Sequence, residues 1–465
     1  MIALIASLLL ATPPAASPVA LPDDPTASAL VAEALRNDPD VRRADAVVQA
    51  QGDRVPQVGS LPDPVLNLGI QNDGFDGIQI GKMETSYWQV MLTQPVPWPG
   101  KLGARKATAR AQESVASAEA ARLRLGITAD VERAYVDLLL VRGQLELLGK
   151  LEALWKEAEV MARTRYEVGQ GPQSDLLRAQ LERTRLRQRR VALESDERTR
   201  VQALNRLRVH PLDEPIATPS PLATLADPPL RSVAEAEADA ERRSPDLAIA
   251  ARAVDVADRR VESARQDWFP DMAVTAGIMP RGQLVPMWTV QLAFTIPVWG
   301  ATKQAKAVDE SQARRDADLR GQESVRLQVR LRADERRTVL EAALDTLGIY
   351  RNGVLIQSDA TVRSTFAQYQ VGKASFSSVL EVLRGFVVDE GGYLEALATA
   401  QRVGIADREV SLASVGGPGG SLSGASMPGA NALPGGLRSA GGAGSNGAAQ
   451  QEAAPASGGG MPAGM

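Results

Sequence analysis

The run Trp288-Thr289-Val290-Gln291-Leu292-Ala293-Phe294-Thr295-Ile296 alternates with a period of two. Trp288, Val290, Leu292, Phe294 and Ile296 fall on one face of a strand, and Thr289, Gln291, Ala293 and Thr295 fall on the other. A strand held between hydrocarbon and water needs that division. Trp88 to Val96 repeats the pattern in the first half of the chain, with Trp88, Val90 and Leu92 in phase. Each run ends in a proline-bearing turn, Pro97 to Gly100 and Pro297 to Gly300, and each turn precedes a long proline-free stretch.

Outward from these strands the chain reads as a duplication with a period of about 200 residues, far longer than a solenoid repeat. Asn37-Asp38-Pro39-Asp40-Val41 answers Arg243-Ser244-Pro245-Asp246-Leu247, each before an amphipathic helical stretch. Leu61-Pro62-Asp63 answers Phe269-Pro270-Asp271, each opening a strand, and Tyr166-Glu167-Val168-Gly169 answers Tyr369-Gln370-Val371-Gly372. Each half is predicted to run helix, strand, strand, long helix, glycine turn, helix. The strands are expected at about 64–71 and 87–96, and at about 272–279 and 287–296, with a long loop at 72–86 and a short one at 280–286. Long helices are expected over about 101–166 and 301–369, each on the order of 100 Å. The flanking segments, about Leu30 to Val58 and Leu176 to Arg208, would match one long helix when laid end to end. The fold class is therefore mainly α with a small β part.

The expected domains are a secretory signal over 1–20, a first repeat over 21–210, a proline-rich surface linker over 211–229, a second repeat over 230–414 and a disordered tail over 415–465. The signal has an apolar run from Ile2 to Ala11 but no Lys or Arg before it. The tail is Gly, Ala, Ser and Pro with scattered Met and almost no charge.

Composition narrows the function. The 465 residues are 44% hydrophobic and 23% charged, and 52 basic against 56 acidic residues leave a net charge of −4, with no field to attract nucleic acid. Cysteine is absent and His210 is the single histidine, so thiol chemistry, a lipid-bearing cysteine and a histidine triad are all excluded. His210, beside Pro211, reads as a helix-end residue. No enzyme, cofactor or metal site is expected. Beyond the signal no stretch reaches the roughly 20 apolar residues of a spanning helix, so any crossing is made by strands.

Four strands cannot close a barrel, and open edges in hydrocarbon leave backbone groups unpaired, so an oligomer must complete it. A dimer, trimer or tetramer would supply eight, twelve or sixteen strands. Trp88, Trp98, Trp268, Trp288 and Trp299 stand at strand ends, where tryptophan favours the headgroup level, and Trp155 alone stands elsewhere. A soluble sandwich on a coiled-coil stalk is the competing reading of the same alternation.

From Leu30 to Ala413 the chain resembles the TolC family of outer-membrane efflux channels. The motifs Leu61-Pro62-Asp63-Pro64 and Gln94-Pro95-Val96-Pro97-Trp98-Pro99-Gly100-Lys101 look most like its heavy-metal branch, typified by CzcC and CusC. The resemblance implies a homotrimer in the outer membrane of a Gram-negative bacterium, with a twelve-stranded β-barrel continuous with a periplasmic α-helical barrel. It implies as partners a periplasmic adaptor and an inner-membrane RND-type pump, with outer-membrane lipid around Trp88, Val90, Leu92, Trp288, Val290, Leu292 and Phe294. The glycine turns would be adaptor-docking tips, carrying Val168, Gly169 and Ser174 on one and Val371, Gly372 and Ser377 on the other. Asp175 and Tyr369 would form an entrance latch, whose basic partner falls on Ala374 and leaves neighbouring Lys373 to stand in. Glu381 and Ser378 would line a constriction of the lumen, although Glu381 also reads as an ordinary exposed helix residue. Cargo stays open among metals, drugs and secreted proteins, and a periplasmic coiled-coil adaptor without a pore is the rival from another class.

Overall fold

The computed structural model describes residues 24–413. The signal and the tail expected at 1–20 and 415–465 lie outside the described residues. Prolines and caps set the first helical boundaries. Pro39 begins a new helix, so the stretch expected from Leu30 to Val58 is two helices, α1 (Pro25–Asn37) and α2 (Pro39–Gly59). Asp38 joins them and accepts from the Asp40 amide. The second half repeats the device, with α5 (Val233–Arg243) and α6 (Pro245–Gln266) joined by Ser244, which accepts from the Leu247 amide.

Strands β1 (Val65–Gln71), β2 (Tyr87–Val96), β3 (Asp271–Arg281) and β4 (Leu284–Thr295) form one antiparallel sheet in chain order, so β2 pairs with β3 and unites the two halves. The second hairpin is tighter than the 280–286 loop expected from its prolines. Pairing continues to Arg281 opposite Leu284, and the turn is Gly282-Gln283 with Gly282 at φ 64°. Pro280 and Pro286 are tolerated because the ladder is irregular between Met279 and Arg281, and prolines owe no hydrogen bond there.

Beyond the sheet stands α3 (Lys101–Glu167), 67 residues without a break and roughly 100 Å long. Along its first part α2 runs antiparallel, with Gly59 beside Lys106, Gly52 beside Glu113 and Asp45 paired to Arg124. Along its last part α4 (Gln173–Arg208) runs antiparallel, with Arg190 on Glu152, Glu197 on Arg142 and Arg200 on Asp137. The Asn37 side-chain amide donates to the Arg208 carbonyl, so α1 meets the end of α4 where the two partners of α3 succeed one another. In the second half the helix expected over 301–369 is interrupted. It runs as α7 (Gln304–Ile349), a π-helical turn at Tyr350–Val354 and α8 (Leu355–Gln370), followed by α9 (Phe376–Glu409). A proline-free, helix-favouring sequence does not reveal a π turn, because the change is one of hydrogen-bond register.

The core lies among the helices in two main clusters. One gathers Leu30, Val131, Tyr135, Leu138, Leu204, Leu347, Leu397 and Ile405 from α1, α3, α4, α7 and α9. The other gathers Leu151, Trp155, Leu186, Phe366, Tyr369, Phe376 and Leu383 nearer the helix turns. The segment between α4 and α5 runs mostly exposed, as its prolines suggest, but Ile216, Leu222 and Leu225 anchor it in the first cluster. Polar bonds fasten it as well: Asn205 donates to the carbonyls of Leu212 and Glu214, and Gln401 donates to that of Ala226. His210 follows the left-handed end of α4 at Val209, and its Nδ1 lies 2.9 Å from a Glu214 carboxylate oxygen.

Candidate functional site: a sheet with one apolar face and two helical tips

Register decides which residues share a face of the sheet. Leu68, Val90, Ile278 and Trp288 stand side by side across the four strands, and Leu66, Leu92, Ala276 and Val290 form the next row. Leu292 is level with Val274, Phe294 with Met272, and Trp88 with Ile70. All seven residues expected to face lipid therefore lie on one face with apolar neighbours. That face is uncovered in the chain: Trp288 is 77% exposed and Leu292 65%. The opposite face carries Asn67, Gln89, Thr93, Thr275, Thr289 and Gln291, with the Thr93 and Thr275 hydroxyls 3.0 Å apart. Gly277 is required on this side, because a Cβ there would stand 2.7 Å from Met91 Cγ and 2.9 Å from the Val90 carbonyl oxygen. β1 and β4 are the two edges of the sheet.

The junctions from strand to helix are locked by side chains. Trp98 stacks on Phe269 with ring centroids 5.6 Å apart, and its backbone N–H donates to Asp271. Buried Lys101 also pairs with Asp271, at 2.9 Å. Gly100 takes φ 106°, a value that L side chains rarely adopt, whereas Gly300 is needed for room, since a Cβ would press on the Trp268 ring at 2.8 Å.

At the far ends of the helices the two turns share one backbone design. Gly169 and Gly372 have φ 70° and 79°, their amides donate to the carbonyls of Tyr166 and Tyr369, and the next amides, Gln170 and Lys373, reach back to Arg165 and Gln368. These are two Schellman motifs, which consume the carbonyls that a helix leaves unpaired. The restarts differ. Ser375 caps α9 by accepting from the Ser378 amide, while the residue before α4 is Pro172, which offers no side-chain cap. Val168 and Val371 are 61% and 67% exposed, Ser174 is exposed, and Ser377 shares its hydroxyl with Ser375 at 2.6 Å.

Tyr369 is buried to 1% and its ring packs on Phe376. Among the described residues its hydroxyl has no partner at full hydrogen-bond geometry, with the Asp175 carboxylate the nearest polar group named beside it. Burial first, and then the nearby Asp175 carboxylate, push the phenol pKa upward. The cation at this place is Arg165, which the sequence reading overlooked. Its guanidinium lies 4.9 Å from the Tyr369 ring centroid and donates to the Tyr369 carbonyl at 2.8 Å and the Gln170 carbonyl at 3.1 Å. Arg165 thus joins the α3–α4 turn to the α8–α9 turn within one chain. Lys373, expected to stand in, is exposed and its ammonium has no carboxylate partner among the described residues. Arg165 was legible as the basic residue in the last turn of α3, where a cation favours helix carbonyls. Further along α9, Ser378 is half-buried with its hydroxyl 3.0 Å from that of Ser375, and Glu381 is exposed without an ion pair among the described residues. Among the described residues no set of three or more His, Asp or Glu side chains is placed to hold a metal ion, and no helix is long and apolar enough to cross a membrane.

Long helical hairpins joined to a small sheet with one apolar face are the architecture that the resemblance implies. Residues 30–209 and 238–389 match the outer membrane efflux protein family, and the chain belongs to it. The fold is shared with solved channels at low identity. The outer-membrane channel OprN is 20% identical, with a TM-score of 0.69 over 83% of this chain and 90% of its own. CusC is 17% identical, with a TM-score of 0.70 over 83% and 92%. The MtrE outer-membrane channel of Neisseria gonorrhoeae is 19% identical, with a TM-score of 0.66 over 83% and 89%. No curated protein sequence matches the chain.

Proposed function

We propose that this chain is the outer-membrane exit duct of a tripartite efflux pump, passive in itself, working as a homotrimer and carrying heavy-metal cations. The observation that carries the reading is a four-stranded sheet with an exposed apolar face and two open edges, set on helices that end in paired glycine turns. A lipid-facing sheet cannot leave its edges unpaired, and three copies give a closed twelve-stranded barrel. The helices extend into the periplasm, and the tips around Val168, Gly169, Ser174, Val371, Gly372 and Ser377 meet an adaptor that links the duct to an inner-membrane RND-type pump. Asp175 and Tyr369 form the entrance latch, with Arg165 rather than Lys373 as its cation. Glu381 and Ser378 ring the lumen, three of each per trimer, and the carboxylates favour cations. The metal assignment rests on the segments Leu61 to Pro64 and Gln94 to Lys101, which resemble the heavy-metal branch.

Two measurements test this reading. Detergent-extracted protein should cross-link as a trimer, sediment with outer membranes and conduct ions in planar bilayers; a wholly soluble, non-conducting protein overturns the duct. A deletion strain should lose tolerance to copper, cobalt, zinc or silver while keeping its antibiotic tolerance, and the opposite pattern overturns the metal assignment.

A further inference from the structure

The break in the second long helix falls at a distinctive place. Tyr350–Val354 is a π turn with no buried residue, whereas α3 passes the same level unbroken. Level is fixed by contacts: Tyr350 packs against Tyr393 of α9, Gly143 of α3 lies beside Leu394, and Gln144 donates to Glu395. The two main core clusters separate here. The first ends at Leu140, Leu347 and Leu397, the second begins at Leu147, Val362 and Phe386, and Leu394 borders both.

Glycine collects at this level. Gly348 and Gly353 flank and enter the π turn, Gly392 faces it from α9 with Gly391 beside it in sequence, and Gly143 and Gly149 lie in α3. Packing requires Gly392, where a Cβ would collide with the Tyr350 hydroxyl. It does not require Gly149, Gly348, Gly353 or Gly391, each of which has open space where a Cβ would go. Glycine inside a helix costs stability relative to alanine, so residues that could be alanine at no steric cost leave backbone freedom as their physical effect. Gly103, Gly126 and Gly321 have similar room, but the helices around them run on without a change of register.

One side chain braces the turn. Arg351 makes two bonds to the Asp227 carboxylate, at 2.6 and 3.0 Å, and one to the Tyr393 hydroxyl at 3.3 Å. Asp227 belongs to the segment between the halves, which is anchored on α9 through Gln401 to Ala226 and through Pro228 against Gly404.

We propose that Tyr350–Val354 is a hinge that lets α8 and the facing part of α9 bend relative to the first core cluster, and that the Arg351–Asp227 pair sets its resting angle. A π turn departs from the regular helical hydrogen-bond register, and a bend here falls between the buried residues of the two clusters, with Tyr393 and Leu394 at the boundary. The proposal concerns motion within the chain and holds whatever the duct carries.

Hydrogen–deuterium exchange of the full-length protein in detergent tests it. Amides of 348–356 should exchange at least about tenfold faster than those of 141–149 at the same level of α3. G348A/G353A should slow that exchange by about tenfold or more while leaving the melting midpoint unchanged or higher. D227N, which leaves the helix sequence intact, should speed it. Exchange across 348–356 as slow as at 141–149 in the unaltered protein overturns the hinge, and exchange unmoved by D227N overturns the brace. Because the chain has no cysteine, a spin-label pair at Q328C and R363C reads the bend directly. Its distance distribution should narrow in G348A/G353A, and equal widths overturn the hinge.

Discussion

Removing Arg165 should free the two helical tips from one another. In the intact chain its guanidinium gives a charge-assisted bond to the Tyr369 carbonyl, 2.8 Å long, and covers the Tyr369 ring at 4.9 Å. A hydrogen bond from a charged donor contributes about 1.5–3 kcal/mol, and a cation over an aromatic face about 0.5–1 kcal/mol at a partly exposed site. The bond to Gln170 lies within the same turn and does not couple the tips. Arg165→Ala should therefore cost roughly 2–4 kcal/mol of coupling, a shift of about 30- to 900-fold in local opening. Hydrogen exchange of the amides from Gln368 to Ala374 should rise by that factor, while exchange in α3 near Tyr135 stays unchanged. Arg165→Lys should recover part of the charge term without the planar stacking, and fall between the two. Exchange at 368–374 within threefold of the unaltered protein in Arg165→Ala would show that the contact couples nothing.

Three further outcomes follow from the same coordinates. Leu292→Arg puts a charge on the apolar face of β4 and should cost about 2–4 kcal/mol near the bilayer midplane, while Gln291→Arg on the other face should be tolerated; outer-membrane yield of folded protein separates them. Gly277→Val should force β2 and β3 apart, since even a Cβ meets Met91 and the Val90 carbonyl, and should lower stability by at least about 1–3 kcal/mol, measured as loss of folded protein in denaturant. The hydrogen bond from Arg183 holds the Glu159 pKa below the usual carboxylate range, against the opposing effect of burial. A native pKa below the unfolded one means that the pair stabilises α3 against α4 above about pH 4.5 and that this is lost as pH falls through the lower native value. The melting midpoint should drop on acidification in that window, and the drop should be smaller in Glu159→Gln.

Much of this arrangement was legible in the order of residues. Alternation at Trp88 and Trp288 marked β2 and β4, because a strand between two solvents sorts its side chains by parity. Pro39 and Pro245 marked helix starts, and Gly169 and Gly372 marked the turns, because those residues act on their own backbone. The contact that joins the two tips was legible only in part. Tyr369 and Asp175 carried a likeness, but Arg165 stands 204 positions before Tyr369, and nothing local joins them.

The sequence by itself determined the class of the protein: four short alternating strands, very long helices and a duplicated plan, each a consequence of local periodicity and of proline and glycine chemistry. Tertiary structure decided how β2 pairs with β3 so that all the apolar residues share one face, a matter of register between distant segments. It also anchored the mostly exposed inter-repeat segment on the core through Ile216, Leu222 and Leu225, by apolar burial. And it put a π turn at Tyr350–Val354 in one of two similar long helices while α3 runs on as unbroken α-helix; the residues that touch that turn, Tyr393, Gly392 and Asp227, lie in no window around position 350.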